Sequence, residues 1–154
     1  MSKCHLPEIF PPRPLTDREI YLLASGNMRE ARNEDTWLDQ HALEQKLTAV
    51  FANEGYELIR AFPFDKEKGH GHLTSQIHGM DVFKKIHPQA PLVVAIAAWQ
   101  CSFHILPGLR DHQGPILTIS NWSGKWPGLV GLLNLNGSLT KMCKPYSTLW
   151  SEDF

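Results

Sequence analysis

Residues 91–99 read PLVVAIAAW. The run is apolar at nearly every position, which is how a strand reads when both of its faces are covered, as in a parallel sheet. At nine residues it is far too short to span a bilayer. Two shorter runs precede it, EIYLLAS at 19–25 and YELIRAF at 56–62, and two follow it, PILTIS at 115–120 and PYSTLW at 145–150.

Helical patterns fill the gaps between these runs. TWLDQHALEQKLTAVFANEG (36–55) sets Leu43, Leu47, Val50 and Phe51 on one face, with charged residues opposite. Thr36 and Asp39 form a capping box with Asp in place of the usual Glu, and Gly55 stands where a helix C-cap belongs. SQIHGMDVFKKI (75–86) places Ile77, Met80, Phe83 and Ile86 on one stripe and stops before His87 and Pro88. A shorter helix is expected over 103–111, with Pro107 as a break, and a last one from about Pro127 to Met142. Strand alternating with helix argues for an α/β fold with a doubly wound, mostly parallel five-stranded sheet, flavodoxin- or Rossmann-like. The strand order expected is 2-1-3-4-5.

The chain has 154 residues, enough for one domain with a real core. Residues 1–18, with a proline-rich stretch at 7–14, read as an N-terminal arm, and 19–154 as the domain. A formal net charge of −1 gives no electrostatic reason to expect nucleic acid or an anionic membrane as partner. Cys4, Cys101 and Cys143 form no CxxC pair, which fits reduced thiols in a cytoplasmic protein better than a disulfide framework. The start, MSKCHLPEIFPPRP, has no apolar core of a secretory signal.

Open parallel sheets bind ligands beyond the carboxyl ends of their strands, which points to four loops at 26–35, 63–73, 99–104 and 121–128. The last holds Trp122 and Trp126 around Ser123, Gly124 and Lys125, just before a helix start. Two indoles are expensive to leave in water, so a ligand, a subunit interface or the domain's own core must cover them. Ser-Gly-Lys before a helix hints at an anion site, without the upstream glycine of a P-loop. In the first loop, Asn27 and Arg29 can meet a carboxylate, a phosphate or vicinal hydroxyls. In the second, His70 and His72 are a metal-binding pair lacking a third ligand, or part of a flexible turn. In the third, Cys101 and His104 carry a thiol-catalysis reading with no orienting residue, against a buried, inert cysteine.

The segments ISNWSGKWPGLVGLLNLNGSLTKMCKPYSTLWSEDF (119–154), YLLASGNMRE (21–30), GMDVFKKI (79–86) and LVVAIAAWQCSFHILPGLR (92–110) resemble the N-terminal domain of the L-fucose isomerase-like family, which includes L-arabinose isomerases. The resemblance runs from about Glu19 to the end of the chain, and none of its motifs is a catalytic signature. It implies aldose–ketose isomerisation through an ene-diol, with manganese or another divalent metal held by later domains, so that this chain carries no cofactor and is inactive alone. It implies a small-molecule sugar and a homo-oligomer as partners. By position it assigns sugar binding to Arg29, Trp99, Asn121 and Trp122. The strand-end rule adds Asn27, Gln100 and Trp126 to that set. No catalytic residue and no metal ligand is assigned. The alternative is a stand-alone flavodoxin-like ligand-binding or interaction module.

Overall fold

The computed structural model describes residues 11–122 and 125–152. Cys4, the first part of the proline-rich arm and the Ser123, Gly124 pair lie outside the described residues. The elements run β1 (Glu19–Leu23), α1 (Glu30–Asn53), β2 (Glu57–Arg60), α2 (Gln76–Phe83), β3 (Leu92–Ile96), α3 (Leu106–Asp111), β4 (Ile116–Asn121), α4 (Gly128–Lys141) and β5 (Ser147–Ser151). A single 3₁₀ turn, Ser102–His104, precedes α3. All four strand pairings are parallel, in the order β2-β1-β3-β4-β5. This is the doubly wound arrangement and strand order expected from the alternation of runs.

The sheet separates two cores by the strict alternation of side chains along each strand. Ile20, Leu22, Val93, Ala95 and Ile119 meet Leu43 and Leu47 of α1 on one face. Tyr21, Leu23, Val94 and Ile96 meet Val82, Leu109, Leu132, Leu135 and Leu139 of α2, α3 and α4 on the other. All five residues of β3 are buried, whereas four of the five in the edge strand β5 are exposed. No helix among the described residues is long and apolar enough to cross a membrane.

Several helix boundaries and faces differ from those expected. Helix α1 starts six residues before Thr36, so Thr36 is not its cap. Thr36 is buried within the helix, where its hydroxyl donates to the Arg32 carbonyl at 2.8 Å. The stripe expected on α2 is also displaced, since Ile77 and Met80 face solvent while Gly79, Val82 and the following Ile86 are buried. The reason is steric: a Cβ on Gly79 would lie 2.0 Å from the His104 carbonyl oxygen. The closest approach therefore passes through the one residue without a side chain, not through the large apolar ones. Val50 is exposed on α1, and Pro107 sits in the first turn of α3 instead of breaking it.

Helices α1 and α4 end in the same hydrogen-bonded motif. After α1, Gly55 N–H donates to Ala52 O and Tyr56 N–H to Phe51 O; after α4, Cys143 N–H donates to Thr140 O and Lys144 N–H to Leu139 O. The motif needs a left-handed residue just past the helix. Gly55 supplies it at φ 83°, but the second copy uses Cys143 at φ 53°. A residue with a Cβ costs roughly 1–2 kcal/mol in that conformation. Cys143 is exposed, so little packing is lost if its side chain is removed. Cys143→Gly is expected to stabilise the domain by about 1 kcal/mol, a few degrees in Tm. An unchanged or lowered urea midpoint would contradict this account of the α4 terminus.

Candidate functional site

The carboxyl ends of β1, β3 and β4 surround a cleft of about 510 Å³. Helix α1 follows β1 on one face of the sheet, and the elements after β3 lie on the other, so the cleft opens where the chain's winding reverses. Asn27, Arg29, Trp99, Gln100 and Trp126 all line it, together with Asn33, Thr36 and Cys101. Asn121 and Trp122 do not line it. Asn121 closes the β4 pairing with Ser151, and its Oδ1 is buried without a hydrogen-bond partner among the described residues. The Trp122 side chain is exposed. Trp99 stands 61% exposed at the cleft, a large apolar surface left open to whatever enters.

The loop after β1 is held from beneath. Asn33 brackets Asn27, accepting from its N–H at 2.6 Å and donating to its carbonyl at 3.0 Å. Asn27 Oδ1 in turn accepts from the Arg29 N–H at 3.0 Å. Arg29 is thus the N-terminal flank of α1, and its side chain makes no hydrogen bond or ion pair with the described residues. The loop after β3 is tied to the same place: Cys101 N–H donates to Gly26 O at 2.9 Å, and the Ser25 hydroxyl donates to Cys101 O at 2.5 Å.

A buried polar chain reaches Gln100 from the far side of α1. Arg60 lies 5.1 Å from the Trp37 ring centroid and 4.9 Å from that of Phe62, and donates to Glu44 and to the Gly71 carbonyl. Glu44 accepts from Gln40 Nε2 at 2.9 Å, which also donates to Ala95 O at 3.1 Å. Gln40 Oε1 accepts from Ala97 N–H and from Gln100 Nε2, both at 3.0 Å. These partners fix both amides, and Gln100 Oε1 is left as a buried acceptor without a donor among the described residues. Sequence reasoning picked out Gln100 and missed Gln40, Glu44 and Arg60. The available signal was the polar stripe Asn33, Thr36, Gln40 and Glu44, at the spacing of the buried face of α1.

His70 and His72 belong to this buttress, and the flexible turn expected there is a packed one. Both rings are buried. His70 Nε2–H donates to Glu30 at 2.8 Å while its Nδ1 accepts from the His72 N–H at 3.1 Å. The His72 ring meets Trp37 edge-on at 5.4 Å. Burial, with the neighbouring His70 and Arg60 adding to it, pushes the His72 pKa down to about 3. Among the described residues, no three His, Cys, Asp or Glu side chains gather to hold a metal ion.

The thiol reading lacks its base. His104 is buried, its Nδ1–H donates to Leu73 O at 3.0 Å, and desolvation holds its pKa below the ordinary value. No hydrogen bond joins it to the Cys101 thiol among the described residues. In the last loop, Ser123 and Gly124 fall outside the described residues, while Lys125 pairs with Asp39 at 3.3 Å instead of standing free for an anion. No protein-family model, curated protein or solved structure matches the chain.

His72 links this buttress to pH. Its folded pKa is depressed, so its contribution to stability is complete above the ordinary value of 6.5 and is lost as pH falls from there toward about 3. The loss amounts to about 1.4 kcal/mol per pH unit, and the lowered pKa of buried His112 acts in the same direction. Urea midpoints measured between neutral and mildly acidic pH are expected to fall steeply in the wild type. His72→Gln is expected to flatten that slope by about one proton. Equal slopes for the two proteins would mean that His72 is not held neutral in the fold.

Proposed function

We propose that the cleft binds a sugar or polyol, and that the domain supplies the substrate-binding side of an aldose–ketose isomerase of the L-fucose isomerase-like kind. The observation that carries this reading is the convergence of Asn27, Arg29, Trp99, Gln100 and Trp126 on one cleft of about 510 Å³. Its size suits a small organic ligand. Indole faces cover the apolar C–H face of a sugar, and amide and guanidinium donors meet its hydroxyls. The Arg29 guanidinium, without a partner among the described residues, can hold two adjacent oxygens in its fork.

On this reading the chain's own residues bind and orient the substrate. A divalent metal in such an isomerase polarises the sugar carbonyl, and the described residues offer no ligand set that fits one. No proton-transfer step is therefore assigned to them. A homo-oligomer, completing the site with other surfaces, belongs to the same proposal, as does a cytoplasmic setting.

The test is direct binding. L-Fucitol or L-arabinitol, acyclic mimics of the ring-opened sugar, are titrated into the purified chain by ligand-observed NMR and calorimetry. Weak but saturable binding with partial tryptophan quenching is expected. Arg29→Ala and Trp99→Ala should each weaken it about ten-fold, since each removes a charged hydrogen bond or an aromatic contact. Met80→Ala, on the exposed face of α2, should leave it unchanged. No saturable binding, or binding indifferent to Arg29 and Trp99, would overturn the reading.

A further inference from the structure

Trp126 and Pro127, which close the connection between β4 and α4, form part of the cleft wall. Both ends of that connection are fixed to the sheet. At its start, Trp122 N–H donates to Ser151 O at 2.8 Å, continuing the β4–β5 pairing by one residue. At its end, Gly128 is buried against the backbone of Asn121 and Ile96. Between these anchors, the Trp126 indole reaches α1, where its Nε1–H donates to Asp39 Oδ2 at 2.6 Å. The same carboxylate takes the Lys125 ammonium at 3.3 Å, and that ammonium lies 5.3 Å from the Trp126 ring centroid.

The two contacts on Asp39 are unequal. The Lys125 ammonium is well exposed, and an exposed ion pair contributes little. The indole N–H to a carboxylate is a charge-assisted bond with a half-buried ring, and such bonds are roughly twice as strong as neutral ones. An indole has one N–H, and here Asp39 takes it. Asp39 lies one turn beyond Thr36, which lines the cleft, and is not itself part of the lining.

We propose that Asp39 is a positioning residue, a latch that holds the Trp126 indole in place as a wall of the ligand cleft. The ligand half of this statement rests on the polyol reading above; the structural half does not. Removing the carboxylate releases Lys125 and Trp126 from α1 while leaving every cleft-lining side chain in the protein.

Two readouts separate the halves. The first needs no ligand: trypsin cuts after Lys125, next to the indole, so its rate at that bond reports whether the connection is held. Asp39→Ala is expected to speed that cleavage about ten-fold. Trp126→Phe should do the same although it keeps the Asp39–Lys125 pair, which assigns the effect to the indole N–H. Asp39→Asn keeps a neutral acceptor and should stay within a few-fold of wild type. The second readout is L-fucitol affinity by calorimetry, which should fall about ten-fold in Asp39→Ala and in Trp126→Phe and be largely rescued in Asp39→Asn. Unchanged cleavage in the two disruptive variants overturns the latch. Faster cleavage with unchanged fucitol affinity overturns its role in positioning the wall. If wild-type protein binds no fucitol, the polyol reading falls, and the cleavage series alone decides whether Asp39 holds Trp126.

Discussion

Five consecutive buried residues in β3, Leu92–Ile96, impose most of this architecture. A strand buried on both faces must have helices above and below, and its neighbours on either side must complete its hydrogen bonds. Parallel neighbours need crossovers long enough to return the chain to the same end, and here those crossovers are the helices that cover the faces. One consequence concerns function. Parallel strands deliver all their carboxyl ends to one edge, so residues as far apart in sequence as Asn27, Trp99 and Trp126 line one cleft. The meeting of these side chains follows from strand direction, and the reversal of winding between β1 and β3 leaves the gap that they surround.

Polar residues in the core set the precision of that edge. The chain from Arg60 through Glu44 and Gln40 to Gln100 is buried along most of its length, and each link is satisfied by the next. A buried charge without a partner is severely penalised, so the network locks α1 to the ends of β2 and β3 in one register. Apolar contacts alone would tolerate small slides between helix and sheet, whereas this chain of directional bonds does not. It ends on Gln100, a residue that lines the cleft and whose buried Oε1 has no donor among the described residues. Elsewhere the same chemistry is closed: buried Asn136 takes the Thr118 hydroxyl and gives to Thr148. Gln100 Oε1 shares its unmet state with Asn121 Oδ1 and His72 Nδ1 among the described residues, and of these three residues Gln100 alone lines the cleft.

The fold was legible because the apolar runs state it directly: continuous apolar strands, spaced by helices, have few parallel solutions. Most of the cleft residues were legible by the same route, since knowing where a strand ends tells which loop residues share an edge. What was hidden followed from contacts between distant residues. A threonine before an apolar face resembles a cap, yet α1 begins at Glu30 with mostly exposed polar residues, among which Asn33 alone is buried, under the loop it holds. The α2 stripe was misread because periodicity favours large apolar residues, while packing against His104 selected a glycine. Asp39 looked like half of a capping box; its indole partner lies 87 residues away. His70 and His72 read as a loose turn because histidine, glycine and lysine favour loops, and only the surrounding rings of Trp37 and Phe64 make that turn a packed one.

The strand that is least buried also bears on the site. β5 is the open edge of the sheet, uncharged in sequence, with Leu149 and Trp150 exposed. Its pairing with β4 extends to Asn121 and Ser151 and then, by one more bond, to the Trp122 N–H. Two residues of the connection that walls the cleft are therefore anchored, Trp122 by β5 and Trp126 by Asp39 of α1. No charge or proline interrupts β5 itself, and its backbone groups on the side away from β4 are left without a strand neighbour among the described residues. The outer edge of the sheet therefore holds the start of the β4–α4 connection at Trp122, and α1 holds its later part at Trp126.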